Sequence, residues 1–290
     1  MKHNHFKNIY VIFKMQNEIH SEWFDITKKI ENIPEPYCLL VDRLNIFSDK
    51  LPNIYIQVEP NSIYNNENYI IENYCKYHTI FTFNQRILDI CPNARKYIYG
   101  TTWMDKEVYD NIDITKKQFF ISHLTGSKLW PNAPGHRLRQ IIHNNQEILK
   151  SYPITFYRSF HPPQLQDYGN NPVLSSVHKE KAILFETYQF AIVIENSRQT
   201  NYFTEKLMDC LLMKTIPIYY GCPNIAEFFD TTGWIFIESE TINVLEELNS
   251  KLYLLCQDEN YYYNYLNIIE KNHITAKKYT DIYVNLNAAI

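Results

Sequence analysis

The chain is predicted to be an α/β protein with two parallel sheets, one in each of two domains. Length is the first observation: 290 residues, at roughly 150 per domain, make about two domains. The second is that hydrophobic residues make up 45% of the chain, enough to give each domain its own core. The third is pattern. Short apolar runs recur between polar helical stretches, which is the βαβ rhythm that covers a parallel sheet with helices.

The elements follow in order. Ile9 to Phe13 is the opening strand, followed by an amphipathic stretch and then by strands at Tyr37–Asp42, Asn53–Val58, Thr79–Phe83 and Lys96–Gly100. Asp105 to Lys117 is polar and has no apolar periodicity, so the boundary falls there, giving domains at 1–115 and 116–290. Phe119–Ser122 starts the second set. A loop through Lys128, Pro131 and Pro134 leads to Gly135, and Arg137–Leu149 reads as a helix with Leu138, Ile141, Ile142 and Leu149 on one face. Tyr152 to Val177, rich in Pro and Asn, is a long loop around one short strand, Ile154–Tyr157, and loops of that length are often functional. Phe190–Ile194 is a buried strand, 195–203 a loop, Thr204–Met213 a helix and Ile216–Tyr220 the next strand, which together make one βαβ unit. Helices over Thr241–Gln257 and from Asn260 onward end the chain, the last packing back on the first domain.

Composition removes several function classes. Lys+Arg 28 against Asp+Glu 32 leaves a net charge of -4, so there is no global basic field for nucleic acid or an anionic membrane. A phosphate must be captured locally. Average usage would predict ~20 glycines, but only six occur, too far apart for a GxGxxG or P-loop fingerprint. Six cysteines without a CxxC pair argue for reduced thiols rather than a zinc site. The N-terminal apolar run is far shorter than the ~20 residues of a membrane helix, which predicts a soluble, intracellular chain without membrane insertion. His136 and His143 have no partner at metal spacing and read as surface or helix-face residues. Trp103 and Trp130 have faces suited to sugar rings or to cores.

One local signal points to anion chemistry. Thr204 is a good N-cap, and Glu205 and Lys206 fill the first turn of a helix at the carboxyl edge of a parallel sheet. Such a helix start offers amide donors and a partial positive charge to phosphate, and Lys206 adds a full one. The plainer reading is a solvated first turn.

The whole string from 194 to 225, IENSRQTNYFTEKLMDCLLMKTIPIYYGCPNI, resembles the signature of glycosyltransferase family 10, the α-1,3/4-fucosyltransferases. Glu195, Asn196, Ser197, Tyr202, Thr204, Glu205, Lys206, Leu207, Asp209, Thr215, Ile216, Pro217, Ile218, Tyr219, Gly221 and Pro223 fill the family pattern. Weaker likeness continues upstream. Phe119-Phe-Ile-Ser-His before an Arg-bearing helix is similar to the segment that opens the family's donor domain, with His123 where Asn is usual and with Arg137 and Arg139 competing for one Arg position. Ile56-Gln-Val-Glu-Pro-Asn61 resembles a short acidic motif of the first domain.

The resemblance implies a GT-B fold, two Rossmann-like domains facing across a cleft, the first for a glycan acceptor and the second for a GDP-sugar donor. It implies an inverting transfer from GDP-fucose that needs no cofactor, with Asn196, Tyr202 and Glu205 around the donor, Glu205 on the transferred sugar and Tyr202 near the nucleotide. No D-x-D triplet occurs in the sequence, so no metal is expected and fixed cations must hold the leaving pyrophosphate: Lys206, Arg139 and the Thr204 helix start. Inversion also needs a base on the acceptor side. Glu59, at the end of an apolar strand, is the candidate, with Glu67 and Glu72 behind it. The nearest alternatives are another GDP-sugar, a protein acceptor, or a binding module without catalysis. A short chain without an anchor points to a bacterial or viral enzyme working in cytoplasm.

Overall fold

The computed structural model describes residues 11–15, 24, 28–126, 128–159, 171–174 and 178–290. They divide into two compact units. The first takes the described residues through Tyr99 together with Thr200–Tyr202 and Asp281–Ile290, and the second takes Gly100–Gln199 and Phe203–Thr280.

The first unit contains β1 (Val11–Met15), β2 (Tyr37–Val41), β3 (Asn53–Ile56), α1 (Glu67–Glu72), β4 (Thr79–Thr82), α2 (Gln85–Ile90) and β5 (Ala94–Lys96). Its five strands run parallel in the order β1-β2-β3-β4-β5. Strand residues point alternately to the two faces, and both faces here are covered. Tyr37, Leu39, Val41, Ile54, Ile56 and Phe81 join one core, while Cys38, Leu40, Tyr55 and Ile80 join the other with Ile70 of α1 and Ile87 of α2. A strand buried on both sides must be apolar throughout, which is why Tyr37–Val41 reads as a continuous hydrophobic run. The opening strand is described over Val11–Met15, overlapping the expected Ile9–Phe13; Ile9 and Tyr10 fall outside the described residues. The expected strand at Lys96–Gly100 is displaced. Pairing with β4 stops at Lys96, and by Gly100 and Thr101 the backbone has turned left-handed (φ +55° and +61°).

The second unit contains α3 (Lys106–Asp110), β6 (Gln118–Thr125), α4 (Pro134–Asn144), β7 (Ile154–Ser159), β8 (Val173–Leu174), β9 (Tyr188–Ile194), α5 (Glu205–Leu212), β10 (Ile216–Tyr220), β11 (Ile235–Phe236), α6 (Val244–Leu255), α7 (Tyr261–Asn264) and α8 (Leu266–Ala276). The final helix, α9 (Ile282–Asn287), belongs to the first unit, where Ile282, Tyr283 and Leu286 sit in its core. Of the expected long loop, residues 160–170 and 175–177 lie outside the described residues.

The six parallel strands of the second unit are ordered β11-β10-β9-β6-β7-β8. One face carries Ile121, Phe190, Ile192, Ile194, Ile216 and Ile218 against Leu138 and Ile142 of α4 and the Val244–Leu255 stripe of α6. Full burial of each such side chain is worth about 1.5–3 kcal/mol. Strand order reverses between β6 and β9: the chain moves outward to β7 and β8, then returns to β9 and proceeds the other way. In an open parallel sheet, the crevice at the carboxyl ends of the two strands flanking such a reversal is where ligands bind.

Candidate active site at the strand-order reversal

The loop that leaves β9 begins at Glu195, whose side chain is fully buried. Its peptide N–H still donates to Tyr220 O at 2.8 Å, extending the β9–β10 ladder by one residue. The carboxylate turns back on the chain: Oε1 accepts from Thr204 N at 2.8 Å and Oε2 from Thr204 Oγ at 2.7 Å. Burial pushes this carboxyl above the ordinary range, and Lys206 with the Thr204 bonds pulls the other way. Two glycines allow the close packing. A Cβ on Gly135 would lie 1.7 Å from Glu195 O, and one on Gly221 would lie 2.8 Å from Glu195 Cγ.

Thr204 caps α5 as its residue type predicts. Its hydroxyl donates to Glu195 and accepts from Lys206 N at 3.4 Å and Lys206 Nζ at 3.1 Å, which uses all its hydrogen-bonding capacity. The amides of Thr204, Lys206, Leu207 and Met208 all have partners within the chain, and the Lys206 ammonium adds a full positive charge to this helix start. That ammonium is 2.9 Å from Glu205 Oε1 and 3.8 Å from Glu195 Oε2, with the lysine side chain 29% exposed. Burial alone would lower its pKa, but the two carboxylates outweigh it and raise it. Burial likewise works against Glu205, yet the charges of Lys206 and Lys181 and the hydrogen bond from Lys206 hold that carboxyl down at about 2. One turn on, buried Asp209 accepts from Thr102 Oγ at 2.6 Å and Trp103 N at 3.0 Å. Burial, only partly offset by Lys181 and these bonds, pushes it up to about 7. Lys181 also lies over the Trp103 ring, 5.2 Å from its centre.

The other wall comes from α4. Arg139 donates through Nη1 to Ile194 O at 2.5 Å and through Nη2 to Asn196 Oδ1 at 3.0 Å. Its own carbonyl is held from β6 by Thr125 Oγ at 3.1 Å. Arg137, two residues earlier, is exposed. Asn196 Oδ1 also contacts His136 Nε2 at 3.1 Å, while His136 Nδ1 accepts from Trp130 N at 3.2 Å. Because Nδ1 is the acceptor, the proton sits on Nε2 and is donated to Asn196. Burial, with the charges of Arg139 and Lys206, lowers His136 to about 3 and keeps the imidazole neutral.

Arg139, Asn196, Thr204, Glu205 and Lys206 therefore meet in the second unit. Tyr202, two residues before the Thr204 cap, is buried with its ring 5.1 Å from that of Phe83 and is assigned to the first unit. Glu59 is also in the first unit, just past β3, with its peptide N–H donated to Asp42 Oδ2 at 2.9 Å. Glu67 is occupied by Asn61, Asn84 and Arg86, and Glu72 is exposed. His136 and His143 are buried on α4, so of the expected surface or helix-face placement the helix face holds and the surface does not. For His136 the signal was available, since it sits one residue after Gly135 in the first turn of a helix aimed at the β9 loop. Lys181 had none, because its partners are remote in sequence. Among the described residues no group of three or more His, Cys, Asp or Glu side chains is placed to hold a metal ion, and no helix is long and apolar enough to cross a membrane.

Residues 144–286 match the family "Glycosyltransferase family 10 (fucosyltransferase) C-term". The match takes in Asn196, Thr204, Glu205 and Lys206 and begins after His136, Arg137 and Arg139. Among characterised proteins, the chain is 31% identical over 132 residues to GDP-fucose protein O-fucosyltransferase 3 of Bos taurus, covering 46% of this chain and 25% of that protein. It is 29% identical over 109 residues to an alpha-(1,3)-fucosyltransferase of Helicobacter pylori, covering 38% and 22%. The matched part thus spans about a quarter of these relatives. Among solved structures, an alpha1,3-fucosyltransferase superposes with a TM-score of 0.53 at 18% identity, covering 92% of this chain and 83% of that one. A glycosyltransferase from Rickettsia africae superposes with a TM-score of 0.52 at 12% identity, covering 86% and 74%. At these identities the likeness is one of fold, and that fold is GT-B, as the resemblance in the sequence implied.

Proposed function

The chain belongs to glycosyltransferase family 10 through its C-terminal half, residues 144–286, and from that premise we propose that it transfers fucose from GDP-fucose to a sugar hydroxyl with inversion and without a metal ion. The observation that carries this reading is the Glu195–Thr204–Lys206–Glu205 and Arg139–Asn196 assembly at the strand-order reversal of the second unit.

In the proposed reaction the acceptor oxygen forms a bond to the anomeric carbon as the bond from that carbon to the diphosphate breaks. GDP leaves with the electron pair. Lys206 and Arg139 carry the charge that develops on the leaving oxygens, a role in which one such donor typically contributes ~10² to 10³ in rate. Glu205, held down at about 2, is ionised at any working pH and so is an acceptor only. It anchors hydroxyls of the transferred sugar and favours the positive charge that grows at the anomeric carbon. Asn196, oriented by Arg139 and His136, fixes the β9 loop beside the diphosphate. Glu59 takes the proton from the acceptor hydroxyl, and Tyr202 supports the loop through its packing on Phe83.

A second reading concerns the acceptor alone. The bovine relative is named for fucosylating proteins, so a protein hydroxyl is the other candidate. Titration calorimetry with GDP and GDP-fucose, followed by transfer assays on glycan and peptide panels, tests both. Micromolar GDP binding with turnover of GDP-fucose supports the proposal. Turnover only of a different GDP-sugar refutes the donor assignment, and GDP binding without transfer or donor hydrolysis leaves a binding module.

A further inference from the structure

A tightly constrained stretch of backbone lies at the carboxyl end of β2. Asp42 follows the last residue of that strand and adopts a left-handed conformation with φ +51°, which a residue other than glycine keeps where its surroundings impose it. They impose it here from several sides. Asp42 N donates to Ile56 O at 3.0 Å. Asn66 Nδ2 donates both to Asp42 O at 3.2 Å and to Tyr55 Oη at 3.1 Å, and the Tyr55 hydroxyl reaches Asp42 Oδ1 at 3.5 Å. The carboxylate is buried and bridges two successive amides of the neighbouring chain segment: Oδ1 accepts from Val58 N at 3.1 Å and Oδ2 from Glu59 N at 2.9 Å.

This clamp lies where the β3 ladder ends. Gln57 N donates to Phe81 O as the last regular rung, and the next two amides would lack sheet partners. An ionised acceptor spanning both makes two charge-assisted bonds, about twice as strong as neutral ones. The strained turn thus fixes the peptide plane from which the Glu59 side chain departs.

We propose that Asp42 is the positioning residue of the proton-accepting carboxylate: by holding the Val58 and Glu59 amides it sets the direction of the Glu59 side chain toward the acceptor hydroxyl. The inference rests on the assignment of Glu59 as the base. Misplacement of a reacting group by about 1 Å costs up to ~10² in rate, so loosening the clamp should lower turnover without touching the donor site. Asn at position 42 keeps one oxygen but sets an amide donor against one of the two N–H groups, and Glu59 is left with the freedom the clamp removed.

The test is a double-mutant cycle on the full chain, using Asp42→Asn, Glu59→Gln and the pair. The measurements are kcat and KM for GDP-fucose, GDP binding by calorimetry, and the melting temperature. Asp42→Asn is expected to lower kcat by about 10- to 100-fold with GDP binding and donor KM unchanged, and to add less than about twofold in the Glu59→Gln background. An equal loss in both backgrounds overturns the proposal, because Asp42 would then act independently of Glu59. Transfer unaffected by Glu59→Gln alone overturns the base assignment, and that single variant reports it separately. If Asp42→Asn does not fold, Asn66→Ala, which releases the Asp42 carbonyl from a half-buried site, takes its place in the cycle. It is expected to lower kcat several-fold in the wild-type background only, and additivity with Glu59→Gln refutes the inference in the same way.

Discussion

Replacing Lys206 with Met keeps much of the side-chain volume and removes one charge from a closely spaced cluster. The ammonium has Glu205 at 2.9 Å, Thr204 Oγ at 3.1 Å and Glu195 at 3.8 Å. At the effective dielectric of ~20 that suits such sites, a pair 3.8 Å apart attracts by about 4 kcal/mol before desolvation is counted. Without the cation, Glu195 and Glu205 face each other across the first turn of α5, with Arg139 and Lys181 as the remaining charges. Loss of one preorganised donor to the leaving group lowers kcat by ~10² to 10³, equivalent to about 3–4 kcal/mol. Lys206→Arg retains charge but offers a planar fork where a compact ammonium fits, and is expected to recover only part of the loss. A second signature comes from linkage. The folded pKa of Glu205, about 2, lies below its ordinary 4.5, so its contribution to stability is fully present above pH 4.5 and is lost as pH falls toward 2. In Lys206→Met this acid-dependent loss shrinks, because the main cation that depresses Glu205 is gone. Calorimetry with GDP, steady-state transfer and denaturant unfolding between about pH 2.5 and 5 read all three quantities. A Lys206→Met enzyme that binds GDP within twofold of wild type and turns over within fivefold refutes the site.

Lys117 is buried where β6 begins, donating to Phe185 O, Tyr188 O and Thr215 Oγ, and burial lowers its pKa from 10.5 to about 7. Between pH 7 and 10.5 the unfolded chain therefore binds the extra proton, so stability rises with pH at up to about 1.4 kcal/mol per unit; urea midpoints at about pH 6.5, 8.5 and 10 should show this in wild type and lose it in Lys117→Met. Gly135→Ala drives a methyl into Glu195 O and should cost about 1–3 kcal/mol of stability together with GDP affinity, since α4 carries Arg139; unchanged melting and binding would contradict the packing described. His136→Phe removes the hydrogen bonds to Asn196 Oδ1, which keeps that from Arg139, and to Trp130 N, a loss of about 0.5–1.5 kcal/mol for each bond that should appear as weaker GDP binding and as a lower melting temperature.

The legible and illegible parts of the sequence divide along physical lines. Strands buried on both faces announce themselves as unbroken apolar runs, so Tyr37–Asp42, Asn53–Val58, Phe190–Ile194 and Ile216–Tyr220 fall within a residue or two of the observed elements. The N-cap at Thr204 is equally local, being written in a hydroxyl before an acidic and basic first turn. Edge strands are harder: β5 is three residues with an exposed pair, and beyond it Tyr97 still donates its N–H to Thr82 O at 3.1 Å while the rings of Tyr97 and Tyr99 fill the core. The site divides the same way. Lys206 and Glu205 stand together on one helical turn and could be read as a unit, but the groups that set their chemistry come from elsewhere. Glu195 reaches nine residues forward to cap the helix, Arg139 and His136 arrive from α4, and Lys181 with the Thr102–Trp103 turn bears on the Asp209 side of α5. Each is a long-range electrostatic partner with no periodicity to betray it. Position 42 shows the same limit most sharply: an aspartate after a strand reads as ordinary loop chemistry, and only a backbone bent to φ +51° with two amides on one carboxylate reveals that the residue is spent on holding another acid in place.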